Sequence, residues 1–129
     1  MTNSNQIPIA KTPSSKTYDL EERTFQFVKG VALLVRKLPK TISNMQYAAQ
    51  VIRASASVGS NYREANEALS KKDFLMRAKI SRKEAKDSVY WLRLIAETND
   101  GTQEREVTDL MNEASELKKI LSSIISKSE

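Results

Sequence analysis

A chain of 129 residues, 40% of them hydrophobic and 29% charged, has room for one domain and one core. It contains no cysteine and no histidine, which removes disulfides, thiolate metal sites, a cysteine nucleophile, the usual general base and the commonest metal ligand. The formal charge is +5, no apolar run reaches the about 20 residues of a membrane span, and Met1 to Thr17 lacks the apolar stretch of a secretory signal, so the cytoplasm is the expected compartment.

Residues 1–17 hold Pro8 and Pro13 among many Ser, Thr and Asn, show no period, and are expected to form a disordered tail. A helical bundle is expected over 18–127. Its first helix, over about 20–38, carries Leu20, Thr24, Val28, Val31, Val35 and Leu38 three and four apart, and Pro39 stops it. The second, over about 44–69, starts at Ser43 or Asn44 as N-cap and continues through Ala48, Val51, Ser55, Val58, Tyr62, Ala65 and Leu69. Ser70 is a plausible cap for the third, over 71–98, with Phe74, Ala78, Ser81, Ala85, Ser88, Leu92 and Ile95 on one face. Thr98-Asn99-Asp100-Gly101 reads as a turn. The fourth helix, over about 102–126, repeats Val107, Leu110, Ala114, Leu117, Leu121 and Ile124. Long helices joined by short loops run antiparallel, so the expected fold is an all-α up-down four-helix bundle.

Between Ala48 and Gly59 the apolar side of the second helix is built from Ala, Ser, Val and Gly. Gly59 within a helix costs about 1 kcal/mol relative to Ala. It therefore marks either tight packing against a neighbouring helix or a place where a ligand or subunit approaches the backbone. On the same helix Arg53, Ser57, Ser60 and Glu64 fall on one line, with Asn61 beside it. Arg53 and Glu64 are about 16 Å apart along the axis, too far to pair with each other. Arg53, Ser57, Asn61 and Glu64 are expected to form a polar network at a helix or subunit contact, with Arg53, Asn61 and Glu64 at least partly buried.

The third helix concentrates the positive charge. Residues 71–100 carry eight Lys/Arg and five Asp/Glu, whereas residues 102–129 carry four and six. With Leu92 at the centre of the core face, Lys72, Lys79, Arg82, Lys83, Lys86 and Arg93 gather on one flank and the back, with Tyr90 among them. Such a stripe suits a nucleic-acid backbone, whose phosphates Lys and Arg neutralise with release of counterions. The same stripe is also what a solvated face looks like. Flanks of opposite sign could instead pair head to tail between subunits.

Ile80, Tyr90 and Leu94 lie off the core face of that helix, beside Trp91 at its edge. A bundle helix with a second apolar side has a second partner, and a homo-oligomeric ring is the expected assembly. Catalysis finds no support. A di-iron site needs Glu-x-x-His, and there is no Gly-rich phosphate loop, Gly-x-Ser-x-Gly or deaminase signature. Glu64, Glu67, Glu84 and Asp87 read as solubilising or paired carboxylates. No metal or cofactor is expected, and the chain is read as a non-enzyme.

Gln50-Val51-Ile52-Arg53, followed by Ser57, Asn61, Tyr62, Glu64 and Ala65, resembles the Arg…Ser…Asn…Glu-(Gly/Ala) signature of the four helix bundle protein family, also called the 23S rRNA intervening-sequence protein family. Leu38-Pro39 matches its Leu-Pro pair. Phe74, Lys79, Arg82-Lys83-Glu84-Ala85-Lys86 and Tyr90-Trp91-Leu92 resemble the third-helix pattern of one branch. The resemblance covers about residues 18–125, with Ala65 where Gly is frequent. It implies a small basic bacterial bundle, assembled as a homopentamer and without enzymatic activity. It also implies kinship with the accessory variability protein of diversity-generating retroelements, which binds nucleic acid and a reverse transcriptase through a basic surface. Two functions follow: a basic oligomer that binds RNA or DNA through the third helix, or an adaptor for a protein partner whose charge only steers the encounter.

Overall fold

The computed structural model describes residues 13–129, so the expected tail lies outside the described residues over 1–12, while residues 13–17, also expected in the tail, belong to the first helix. Four helices follow: α1 (Pro13–Lys37), α2 (Ile42–Asn66), α3 (Lys71–Thr98) and α4 (Glu104–Ser128). Each packs against its neighbours in a square, α1 on α2, α2 on α3, α3 on α4 and α4 on α1, and the backbones of the diagonal pairs stay apart across the core. This is the antiparallel up-down four-helix bundle that the apolar periods require.

The buried face of α1 is Leu20, Thr24, Phe27, Val31 and Leu34, and Leu38, just past its end, is buried too. Phe27 and Leu34 take the central places expected for Val28 and Val35, which sit half-buried beside them. Both sets share the same heptad, and the larger side chains remove more apolar surface from water. Pro39 ends α1 as expected. The N-cap of α2, however, is Thr41, not Ser43 or Asn44: its backbone is extended and its hydroxyl accepts the Asn44 amide at 3.1 Å. Asn44 is instead buried, and its side chain exchanges two hydrogen bonds with Asn99, Nδ2 to Oδ1 in each direction at 2.9 and 3.0 Å. That pair ties the start of α2 to the end of α3.

Helix α2 ends at Asn66, before the expected Leu69, which is fully exposed. The reason lies one residue further on. Ser70 must be extended to accept the Asp73 amide at 3.1 Å and cap α3, so the chain leaves the helix early. Gly101, at φ +88°, makes the α3–α4 turn. On α4, Val107, Ala114, Leu117, Leu121 and Ile125 are buried, while Leu110 and Ile124 pack half-buried at the edge.

Small residues govern the α2–α3 contact. Ala54, Ser55 and Val58 of α2 meet Ala78, Ser81, Ala85 and Ser88 of α3, all fully buried. The Ser81 hydroxyl donates to the Val58 carbonyl at 2.6 Å, and Ser88 donates to the Glu84 carbonyl at 2.8 Å. Gly59 faces α1, where an added Cβ would lie 2.9 Å from Thr24 Oγ1 and 3.1 Å from Thr24 Cβ. Packing therefore accounts for this glycine.

Two glycine substitutions should differ in their effect. In Gly59→Ala the new methyl meets a short, branched, buried side chain, and overpacking of about 1–3 kcal/mol outweighs the helix-propensity gain of about 1 kcal/mol. In Gly30→Ala the nearest atom is Leu110 Cδ2 at 3.0 Å, the mobile end of a half-buried side chain. Urea denaturation should show the first variant destabilised and the second unchanged or stabilised. Equal effects would mean that Thr24 yields as easily as Leu110.

Candidate nucleic-acid interface

The small-residue seam turns the core face of α3 inward and leaves its opposite side to solvent. Along that side Lys72, Met76, Lys79, Lys83, Lys86, Tyr90 and Arg93 follow one another three or four residues apart, and all are exposed. Arg82 sits half-buried on the flank facing α4, where a guanidinium nitrogen lies 3.5 Å from Ser122 Oγ. Between α3 and α4 opens a cleft of about 420 Å³ lined by Lys79, Arg82, Lys83, Lys86, Lys118 and Ser122. The structure thus brings four of the stripe residues to one cleft, and Lys72, Tyr90 and Arg93 lie outside its lining.

Some of this charge is already met. Lys79 pairs with the Glu129 side chain at 3.2 Å, Lys83 with Asp87 at 3.0 Å and Arg93 with Glu97 at 3.4 Å. The hydrogen bond to Asp87, helped by the charges of Asp87 and Glu84, raises the Lys83 ammonium above the ordinary lysine range. These pairs are exposed and weak, so a stronger anion can displace them. Lys72, Arg82, Lys86 and Lys118 have no carboxylate partner among the described residues. Lys118 and Ser122 belong to α4 and stand outside the sequence-predicted stripe. A wheel of α4 alone puts them side by side, but only the packing shows which flank meets α3.

The polar line of α2 lies on the other flank of α3. Asn61 is half-buried, donates to Ser57 Oγ at 2.8 Å and accepts from Arg77 of α3 at 3.1 Å. Arg53 is exposed and reaches Glu84 Oε2 of α3 at 3.7 Å. Glu64 is exposed and makes no ion pair among the described residues. Within the chain Asn61 is partly buried, whereas Arg53 and Glu64 are exposed because the line rides the outer rim of the α2–α3 contact; burial of these two would require the subunit contact. Glu84 is the buried charge of this contact. It is 9% exposed, and its Oε1 has no hydrogen-bond partner among the described residues.

Ile80 and Leu94 are half-buried, and Tyr90, 60% exposed, stands edge-on to Trp91 with ring centroids 5.1 Å apart. Other exposed apolar residues lie on α1 and α2. Phe25 and Leu33 of α1, with Ile42, Met45 and Ile52 of α2, are all exposed. Among the described residues no group of side chains could hold a metal ion, and no helix is long and apolar enough to cross a membrane.

These features define a basic antiparallel four-helix bundle with a cationic cleft between its last two helices. The sequence pattern of the 23S rRNA-intervening sequence proteins matches residues 16–123, and the chain belongs to that family. Its fold is similar to the crystal structure of a protein of unknown function from the S23 ribosomal protein family of Bacteroides thetaiotaomicron, with a TM-score of 0.72 and 29% sequence identity. The match covers 82% of this chain and 97% of that one. No curated protein matches the chain.

The Arg53–Glu84 contact is testable on stability. Glu84→Gln keeps the shape and removes a buried charge whose partner is mostly in water, so it should leave stability unchanged or raise it by about 1 kcal/mol. A loss of more than about 1 kcal/mol in chemical denaturation would show that the ion pair holds α2 to α3.

Proposed function

We propose that this protein is a non-catalytic, homo-oligomeric basic bundle that binds RNA or DNA through the outer face of α3. One observation carries the reading: cations recur along about 30 Å of one exposed helix side, from Lys72 to Arg93, and continue onto α4 at Lys118. On such a stripe phosphate contacts should dominate, so affinity should depend on salt and only weakly on sequence. Tyr90 adds one ring on which a base can stack. Five is the subunit number that the family resemblance implies, and a ring repeats the stripe in every subunit, so weak contacts sum.

The exposed apolar residues of α1 and α2 favour a second reading, in which a protein partner, such as a reverse transcriptase, covers Phe25, Leu33, Met45 and Ile52. In that reading the protein is an adaptor and its charge serves steering and solubility.

Fluorescence anisotropy with labelled RNA and a labelled DNA duplex separates the two. The nucleic-acid reading expects binding at low salt, with a log–log salt slope of roughly 0.7–0.9 for each phosphate that the protein neutralises. The combined Lys79→Glu, Arg82→Glu, Lys83→Glu and Lys86→Glu variant should fail to bind and keep its helicity. A wild type that binds neither probe at low salt favours the adaptor. Light scattering coupled to size exclusion should give a mass several times 14.6 kDa, and a monomer would remove the ring.

A further inference from the structure

The α3–α4 cleft differs from the rest of the basic stripe in shape and in charge. The stripe is convex and belongs to one helix, so its cations point apart. In the cleft, cations from two helices converge on one space, and the Ser122 hydroxyl lies beside them. Three of those cations, Arg82, Lys86 and Lys118, have no carboxylate partner among the described residues. The cleft, about 420 Å³, falls within the roughly 300–1,000 Å³ of small-ligand sites. That volume is on the scale of a single terminal group.

Charge decides which group. A phosphodiester within a strand carries one negative charge, too little for three converging cations. A phosphomonoester carries about −1.5 to −2 at neutral pH and three strong acceptor oxygens. Arg82 presents a planar fork suited to two of those oxygens, Lys86 and Lys118 supply point charges, and the Ser122 hydroxyl can donate to the third. The Lys79 and Lys83 ammonium groups also line the cleft, and their exposed carboxylate partners can give way. We infer that the α3–α4 cleft is the seat of a terminal phosphate of a nucleic-acid strand. This rests on the proposed nucleic-acid binding: the stripe holds the chain of the strand and the cleft holds its end.

The test compares three single-stranded oligonucleotides of one sequence, bearing a 5′-phosphate, a 3′-phosphate or hydroxyl ends, by anisotropy at low salt with the full chain. One phosphorylated strand should bind about tenfold tighter than the hydroxyl strand, the gain expected of one strong charge-assisted contact. Lys118→Ala with Ser122→Ala should erase that ratio, whereas Lys72→Ala with Arg93→Ala should weaken all three strands alike and preserve it. Inorganic phosphate at millimolar concentration should compress the ratio by competition. Equal binding of all three strands overturns the inference and leaves the nucleic-acid reading standing. Equal binding together with calorimetric binding of inorganic phosphate also overturns it, and makes the cleft a free-anion site. If no strand binds at low salt, both readings fall together.

Discussion

The close approach of α2 and α3 sets the rotation of every other helix. Alanine and serine on both sides let the backbones come near enough for the Ser81 hydroxyl to reach the Val58 carbonyl at 2.6 Å. Buried hydroxyls are costly when unpaired, and here each finds a backbone carbonyl: Ser55 on Ile52, Ser81 on Val58 and Ser88 on Glu84. With that seam fixed, α3 cannot turn. Its Arg77, Glu84 and Trp91 side faces α2, and its Arg82 side faces α4.

The other helices distribute charge around this frame. Helix α4 turns Glu106 and Glu113 toward α1, where they meet Lys37 at 3.0 Å and Arg23 at 2.7 Å. The Arg23 fork is bidentate, with a second bond to Glu113 at 3.0 Å, but both partners are about a third exposed, so the pair contributes at most about 1 kcal/mol. Its larger effect is on where charge remains. Carboxylates spent on α1 are absent from the opposite side of α4, which presents Lys118 and Ser122 to the cations of α3. The basic cleft is thus a result of how α4 is rotated, more than of the net charge of the chain.

The helical period carried most of the fold. On α3 and α4 it gave the buried series almost residue for residue, and Ser70 was legible as a cap because a hydroxyl precedes an amphipathic run. On α1 the period alone could not choose between Phe27 and Val28, since both belong to one broad apolar stripe and size decides. Thr41 escaped because other candidate caps adjoin it, and Asn44 was claimed by Asn99, a partner 55 residues away. The stripe on α3 was readable because it lies within one helix. Lys118, the Glu84 contact and the exposed apolar residues of α1 and α2 depend on which helix neighbours which and on the sense of rotation. A list of periodic residues carries neither.

The proposed binding falls on one side of the bundle: the outer face of α3 and the adjoining flank of α4. Hydrogen exchange read by mass spectrometry, with and without a saturating single-stranded oligonucleotide at low salt, tests that placement directly. Peptides spanning residues 79–93 and 115–123 should gain protection, while those of α1 and the first half of α2 should not change. Protection confined to α1 and α2, where Phe25, Leu33, Met45 and Ile52 are exposed, would contradict it.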